Sequence, residues 1–299
     1  MNHTQLPGES AAKAASRVRA VARFRYVVCN VFTNEPLQGN QLAVFTDARE
    51  IPEAKLQPLA RELNLPETTF VYPPVEGGHV RMRIFTRGAE LQFAGHPTLG
   101  TAFVLGAPLQ LVEIRIETGR GIVPVTLERE GARISFGWMS QPIPTVHEFA
   151  ESAALERALG VESTLPVELY DLGIRHTLVS VASAGQLAGL RPDLAALSAL
   201  DSQGFYCFAP SGTGWKARVF LPAIGIDEDP ATGSGAGPLA LHLARHGRIA
   251  FGDEIEIEQG VEIGRRSTLR ARIEGTADAV ERIEVGGAAV IVARGEFSF

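Results

Sequence analysis

The sequence predicts an α+β protein built as two pseudo-symmetric lobes with a cleft between them. Three observations carry this. Runs rich in Val, Ile, Phe and Thr recur between Gly-, Pro- and Asn-containing turns, the signature of strands. Two glycine-rich segments, FAGHPTLGTA over Phe93–Ala102 and DPATGSGAGPLA over Asp229–Ala240, each read as the start of a helix. They stand at comparable places in the two halves: His96 and Ser234 are 138 positions apart, about half of the chain that remains once the first 22 residues are set aside. No fixed offset aligns the other elements, so duplication is an inference about architecture.

In chain order, the first twenty or so residues carry Lys13, Arg17, Arg19 and Arg23 among Ala and Ser, with no apolar segment after them. Residues 1–22 are expected to form a flexible extension. Strands are predicted at FRYVVCNVF from Phe24, QLAVF from Gln41, TTFVYP from Thr68, VRMRIFT from Val80, VEIRIET and GIVPVTLE. PEAKLQPLAREL, Pro52 to Leu63, has helical apolar spacing, with Pro58 as a point where the helix can split. GWMSQPIPTVHEF, Gly137 to Phe149, reads as the crossover between halves. A helical AESAALERALG follows, then strands in LYDLGIRHTLVSV, a helical stretch near Asp193–Leu200, and strands GFYCFAP and WKARVFLP. The second glycine segment and the helix PLALHLARHG come next. EIEIEQG, LRARIEG, RIEVGG and AAVIVARGEF close the chain as antiparallel strands joined by Gly-containing turns.

Composition narrows the function. With 299 residues, 45% hydrophobic and 21% charged, the chain can bury a large core. A net charge of −6 argues against nucleic-acid binding, which needs a basic face. No apolar run approaches the roughly 18 residues that span a bilayer, so no membrane partner is expected and the cytoplasm is the expected compartment. Cys29 and Cys207 lie in apolar runs and read as buried thiols.

Helix N-termini offer free backbone N–H groups to an anion, so a small carboxylic acid is the expected ligand. Glu67, at the start of an apolar strand after LNLP, is either a partly desolvated proton-transfer group or a solvated turn residue. His96, between Gly95 and Pro97, is placed to hydrogen-bond a bound acid, to shuttle a proton or to cap the loop, and Pro97 suits the first helical position. Asp229 or Thr232 is an ordinary cap candidate, but capping does not require GSGAG, whose glycines permit positive φ and close ligand approach. His242 and His246 share a helix face, yet no third ligand is expected nearby and HExxH is absent, so no metal is expected. Nucleotide loops of the GxxxxGK[ST] and GxGxxG types and the GxSxG elbow are missing as well.

At these residues the chain resembles the PhzF-like (phenazine biosynthesis) isomerase family, related in fold to diaminopimelate epimerase. The resemblance runs through VFTNEPLQGNQLAVF, LNLPETTFV, AELQFAGHPTLGTA and DEDPATGSGAGPLA, in family order. It implies that each lobe is a mostly antiparallel sheet wrapped around a central helix. Residues 23–143 would form the first lobe, joined by the returning last strand 287–299, and residues 144–286 the second. It implies a homodimer with no metal, flavin, pyridoxal phosphate or other cofactor. Glu67 would be the general acid/base, with His96, Asp229 and Ser234 as partners, and Gly95, Gly233 and Gly235 as backbone donors to the substrate. The reaction implied is movement of a proton between carbons of a small acid. An epimerase or racemase, or a binding protein without turnover, are the alternatives. Where related epimerases carry paired cysteines, this chain has Ala94 and Thr232, which disfavours two-thiol racemisation. Gln41 and Gln92 replace prolines frequent in relatives, which leaves the substrate open.

Overall fold

The computed structural model describes residues 22–299, so the extension expected over residues 1–22 falls, apart from Ala22, outside the described residues. The first series of elements is β1 (Arg23–Val31), β2 (Asn40–Phe45), α1 (Glu53–Leu63), β3 (Glu67–Tyr72), β4 (Val80–Thr86), β5 (Glu90–Leu91), α2 (Gly95–Leu109), β6 (Glu113–Thr118), β7 (Gly121–Glu130) and β8 (Arg133–Gln141). After β9 (Thr145–Glu148) and α3 (Ser152–Leu159) comes a second series. It holds β10 (Glu168–Asp171), β11 (Arg175–Ser180), α4 (Ala184–Ala188), α5 (Leu194–Ser198), β12 (Gly204–Ser211), β13 (Gly214–Leu221), β14 (Ile226–Asp229), α6 (Gly233–Arg245), β15 (Glu254–Gln259), β16 (Ser267–Gly275) and β17 (Val280–Gly287). β18 (Ala289–Ser298) ends the chain.

The two series pair alike. β1–β2 is antiparallel, β2–β3 parallel, β3–β4 antiparallel, β4–β6 parallel, and β6–β7 and β7–β8 antiparallel. The pairs β10–β11, β11–β12, β12–β13, β13–β15, β15–β16 and β16–β17 repeat those directions one for one. Each series inserts its long central helix, α2 or α6, before the strand that makes the second parallel pair. β8 and β17, the last strands of the two series, pair with each other, and β18 returns along β1. This is the α+β architecture that the paired glycine segments predict. The offset between halves drifts because α4 and α5 stand where the first series has only α1.

Both central helices are apolar all round, which marks helices enclosed by other elements rather than laid on a surface. Every residue of α2 from Gly95 to Gly106 and of α6 from Gly233 to Ala244 is buried. Smaller cores lie outside the sheet: Phe45, Phe70 and Phe85 with Leu56 and Leu59 of α1, and Phe205, Cys207 and Phe220 with Leu155, Leu187 and Leu197 of α3–α5. β12 is therefore covered on both faces, with Tyr206 and Phe208 turned to the central core and Phe205 and Cys207 to the outer one. That explains its unbroken apolar run.

Three local expectations change. α1 runs unbroken through Pro58, whose ring lies on the exposed side so that the carbonyl it frees faces water. Pro97 is the third residue of α2 rather than the first. The GSGAG run is itself the opening of α6, and Gly233, Gly235 and Gly237 all have negative φ, so close packing and not left-handed backbone explains them. Among the described residues, no helix is long and apolar enough to cross a membrane.

Candidate active site

The two central helices meet end to end at their N-termini. A Cβ built on Gly95 of α2 would lie 2.7 Å from the amide N of Ser234 and 2.8 Å from the carbonyl carbon of Gly233, so the two backbones touch where only glycine fits. A Cβ on Gly233 would strike the Phe32 ring at 2.8 Å, and one on Gly235 would run into Tyr206. The N-cap residues, Ala94 and Thr232, make no side-chain capping bond to their helices. Two positive helix ends thus converge beside the same group of acids.

Glu67 opens β3 opposite Leu42, directly after the turn that ends α1 at Asn64 in left-handed conformation (φ 52°). It is only 7% exposed, which rejects the solvated-turn reading. His96, second residue of α2, places Nε2 3.0 Å from Glu67 Oε2 and 3.3 Å from the carbonyl oxygen of Gln41. Burial alone would lower the His96 pKa. The charge and contact of Glu67, then the charge of Asp229 and the Gln41 carbonyl, outweigh it and hold the imidazole above its ordinary value.

Asp229 closes β14 and reaches the same place from the second series. Its Oδ1 accepts from Asn40 Nδ2 at 2.9 Å and its Oδ2 from Thr232 Oγ1 at 2.6 Å. Burial, followed by the charge of Glu67, raises Asp229 to about 7 against the opposing pull of His96, Thr232 and Asn40. Gln259 fixes the turn: its Nε2 donates to the Asp229 carbonyl (2.8 Å) and to Thr232 Oγ1 (2.9 Å), while its Oε1 accepts from the Thr232 amide (3.0 Å). Gln141 of β8 donates to the Gly233 carbonyl at 2.7 Å. Ser234 is 6% exposed and its Oγ lies 2.9 Å from His176 Nε2.

The structure therefore brings Glu67, His96, Asp229, Ser234, Gly95, Gly233 and Gly235 into one buried junction. The sequence reading missed Asn40, Gln141, His176 and Gln259. Asn40 follows Gly39, whose positive φ (66°) turns the chain into β2, and it joins the two series by holding both Asp229 and the Ala231 carbonyl (2.9 Å). Of the two departures from the family pattern, Gln41 meets His96 through its backbone carbonyl, and exposed Gln92 lies against Gly119. Cys29 and Cys207 are fully buried and their thiols are pushed up to about 12 by burial, as inert core residues are.

The expectation that no third ligand stands near the histidine pair is overturned. His242 and His246 do have an acidic neighbour, Glu168 of β10, distant in sequence but with Oε2 3.1 Å from both His242 Nδ1 and His246 Nε2. Tyr170 OH also donates to that oxygen (2.8 Å), and Arg245 pairs with Oε1 at 3.2 Å. Both Glu168 oxygens thereby have partners. Burial would raise its pKa, but its contacts with His242, Tyr170 and His246 outweigh that and keep it an ionised carboxylate below its ordinary pKa, and the cluster ties β10 to the C-terminal end of α6.

Two matched sets of strands, each around a long buried central helix, with the two helix N-termini meeting, give the α+β fold of the diaminopimelate epimerase-like class. Within it, the chain belongs to the phenazine biosynthesis-like family, whose family model matches residues 29–295. It is 48% identical over 271 residues to trans-2,3-dihydro-3-hydroxyanthranilate isomerase of Pseudomonas fluorescens, covering 90% of this chain and 98% of that one. The crystal structure of a PhzF-family phenazine biosynthesis protein from Bacillus anthracis matches with a TM-score of 0.81 at 24% identity, covering 92% and 99% of the two chains. A hydroxyproline epimerase from Agrobacterium vitis shares the fold at a TM-score of 0.64 and 12% identity, covering 92% of each chain. The protein is a PhzF-like isomerase.

Proposed function

We propose that this isomerase moves a proton between carbons of a small carboxylic acid without a cofactor, using Glu67 as the general acid/base. The observation that carries the reading is the junction itself. A buried Glu67 and a buried Asp229, one from each series, flank His96 at the point where two helix N-termini converge. The backbone N–H groups of Gly95 and Gly233, with the Ser234 hydroxyl, hold the acid's carboxylate. Contrary to the sequence expectation, the N–H of Gly235 is already given to the Thr232 carbonyl at 3.0 Å, and Gly235 serves the close packing against Tyr206. Glu67 takes a proton from a carbon activated by conjugation and delivers one to another, with His96 buffering the charge change and relaying exchange of the Glu67 proton with solvent between the two steps. Burial of the junction excludes water, which keeps the base effective.

Asp229 has a holding role: both its oxygens already accept protein hydrogen bonds, so it orients an amino or hydroxyl group of the substrate. Ala94 and Thr232 stand at the matched N-cap positions, where no thiol is available for a two-thiol exchange. One base acting on one face supports isomerisation over epimerisation.

The relative's substrate, trans-2,3-dihydro-3-hydroxyanthranilate, is the first candidate, alongside other hydroxy-, amino- and dihydroaromatic acids. NMR in deuterated water tests the reaction. Deuterium at a carbon other than the one that loses its proton is the expected result, and label confined to the original centre would turn the assignment to an epimerase. Homodimerisation belongs to the same proposal, and sedimentation at micromolar concentration checks it.

A further inference from the structure

The two halves differ at one matched place, and the difference holds a buried imidazole that the proposed chemistry leaves unused. Ser234, second residue of α6, corresponds to His96, second residue of α2. Glu67 begins β3 opposite Leu42, and Gly204 begins β12 opposite His176. In the first half the helix residue turns to the acid that starts the strand. In the second half the strand starts with a glycine, and Ser234 turns instead to His176 on the neighbouring strand, with Oγ 2.9 Å from Nε2.

His176 is fully buried, and its Nδ1 has no hydrogen-bond partner. A Cβ at Gly204 would lie 2.7 Å from Nδ1, so that nitrogen looks onto the glycine Cα. A neutral imidazole has one N–H. A proton on Nδ1 would be a buried donor aimed at a C–H group, whereas a proton on Nε2 leaves a bare acceptor, which proteins tolerate better and which the Gly204 C–H partly satisfies. Burial, with no charged group opposing it, pushes His176 down to about 4, so the ring is neutral at physiological pH.

We infer that His176 is a positioning residue: carrying its proton on Nε2, it donates to Ser234 Oγ and so turns the Ser234 hydroxyl proton outward, toward the bound acid. This rests on the proposed place of Ser234 in the substrate site. With Nε2–H as donor, the serine hydroxyl has to donate elsewhere, and among the described residues Ser234 Oγ has no other partner. The arrangement makes Ser234 a donor to a ligand oxygen such as a carboxylate.

Nitrogen-15 NMR of labelled full-length protein reads the tautomer directly and needs no substrate. His176 is expected in the neutral Nε2–H form from pH 5.5 to 8, and an imidazolium or an Nδ1–H form overturns the proposal. Kinetics test the coupling. Ser234→Ala and His176→Phe should each raise KM about tenfold with kcat little changed, and the double variant should be no worse than Ser234→Ala alone. Additive losses, or a KM unaffected by His176→Phe, contradict it. His176→Gln, which keeps a side-chain N–H donor, should recover most of the loss; should His176→Phe not fold, His176→Leu, the residue type found at the matched position, Leu42, takes its place. If no acid is turned over, the proposed reaction fails, while the tautomer readout still decides this point.

Discussion

Glu67 and Gly204 hold the same place in the two halves, each the first residue of a strand that pairs in parallel with the second strand of its series. Pseudo-symmetry offers two positions for a carboxylate, and this chain fills one. The other is kept empty of side chain so that His176 can fit beneath Ser234. An asymmetric site of this kind suits a reaction in which one base works on one face.

Gly204→Ala tests that relationship. The added methyl would lie 2.7 Å from His176 Nδ1, so the ring must move. A stability loss of about 1–3 kcal/mol in urea denaturation is expected, as for overpacked cores, together with a raised KM. A variant as stable and as active as the parent would show that the ring has room.

Gly95→Ala puts a Cβ 2.7 Å from one backbone atom and 2.8 Å from another across the helix junction, where no side chain can rotate away. Denaturation should show a loss of about 2 kcal/mol or more, with turnover largely abolished. Gly88→Ala, whose Cβ meets nothing within 4 Å, serves as the control and should change stability by less than about 0.5 kcal/mol.

Asn40→Ala removes two buried hydrogen bonds, to Asp229 Oδ1 and to the Ala231 carbonyl, both 2.9 Å. Since one of them serves a carboxylate, the expected cost is about 2–4 kcal/mol in chemical denaturation. A change below about 0.5 kcal/mol would mean that Asn40 does not tie the two series together.

The pH dependence follows from Asp229. Its folded pKa is raised from 3.8 to about 7, so its proton is held more tightly in the folded state than in the unfolded one. The stability tied to that proton is fully present below about pH 4 and is lost as pH rises through 7. Asp229→Asn removes the titration, so the stability of the parent minus that of the variant should fall between pH 5 and 7 by up to about 1.4 kcal/mol per unit. The buried His176, whose pKa is lowered, has the opposite sign, and the comparison between variant and parent cancels it. A difference that stays flat with pH would place Asp229 in an ordinary ionised state.

The four candidate site residues were legible because each sits in a short run with a local signature: Glu67 at a strand start, and His96, Asp229 and Ser234 beside glycines at helix starts. The α+β class was legible through strand-rich runs and two matched helix openings. What supports the site was not. Asn40, Gln141 and Gln259 reach it only through pairings between distant strands, and His176 stands in an ordinary apolar run, GIRHTLVS. Glu168 was likewise invisible beside His242 and His246, since β10 meets α6 only after folding. Glycine was misread for a physical reason. GSGAG signals conformational freedom in sequence, whereas here it lets one helix end pack against another backbone, the Phe32 ring and Tyr206.

The role of Glu67 is tested most directly by deuterium incorporation into trans-2,3-dihydro-3-hydroxyanthranilate, comparing the parent with Glu67→Gln, which keeps the side chain's shape and removes its basicity. The account predicts label at a new carbon with the parent, and with Glu67→Gln at least about a thousandfold slower incorporation despite retained ligand-induced stabilisation. Turnover surviving Glu67→Gln unchanged would contradict it.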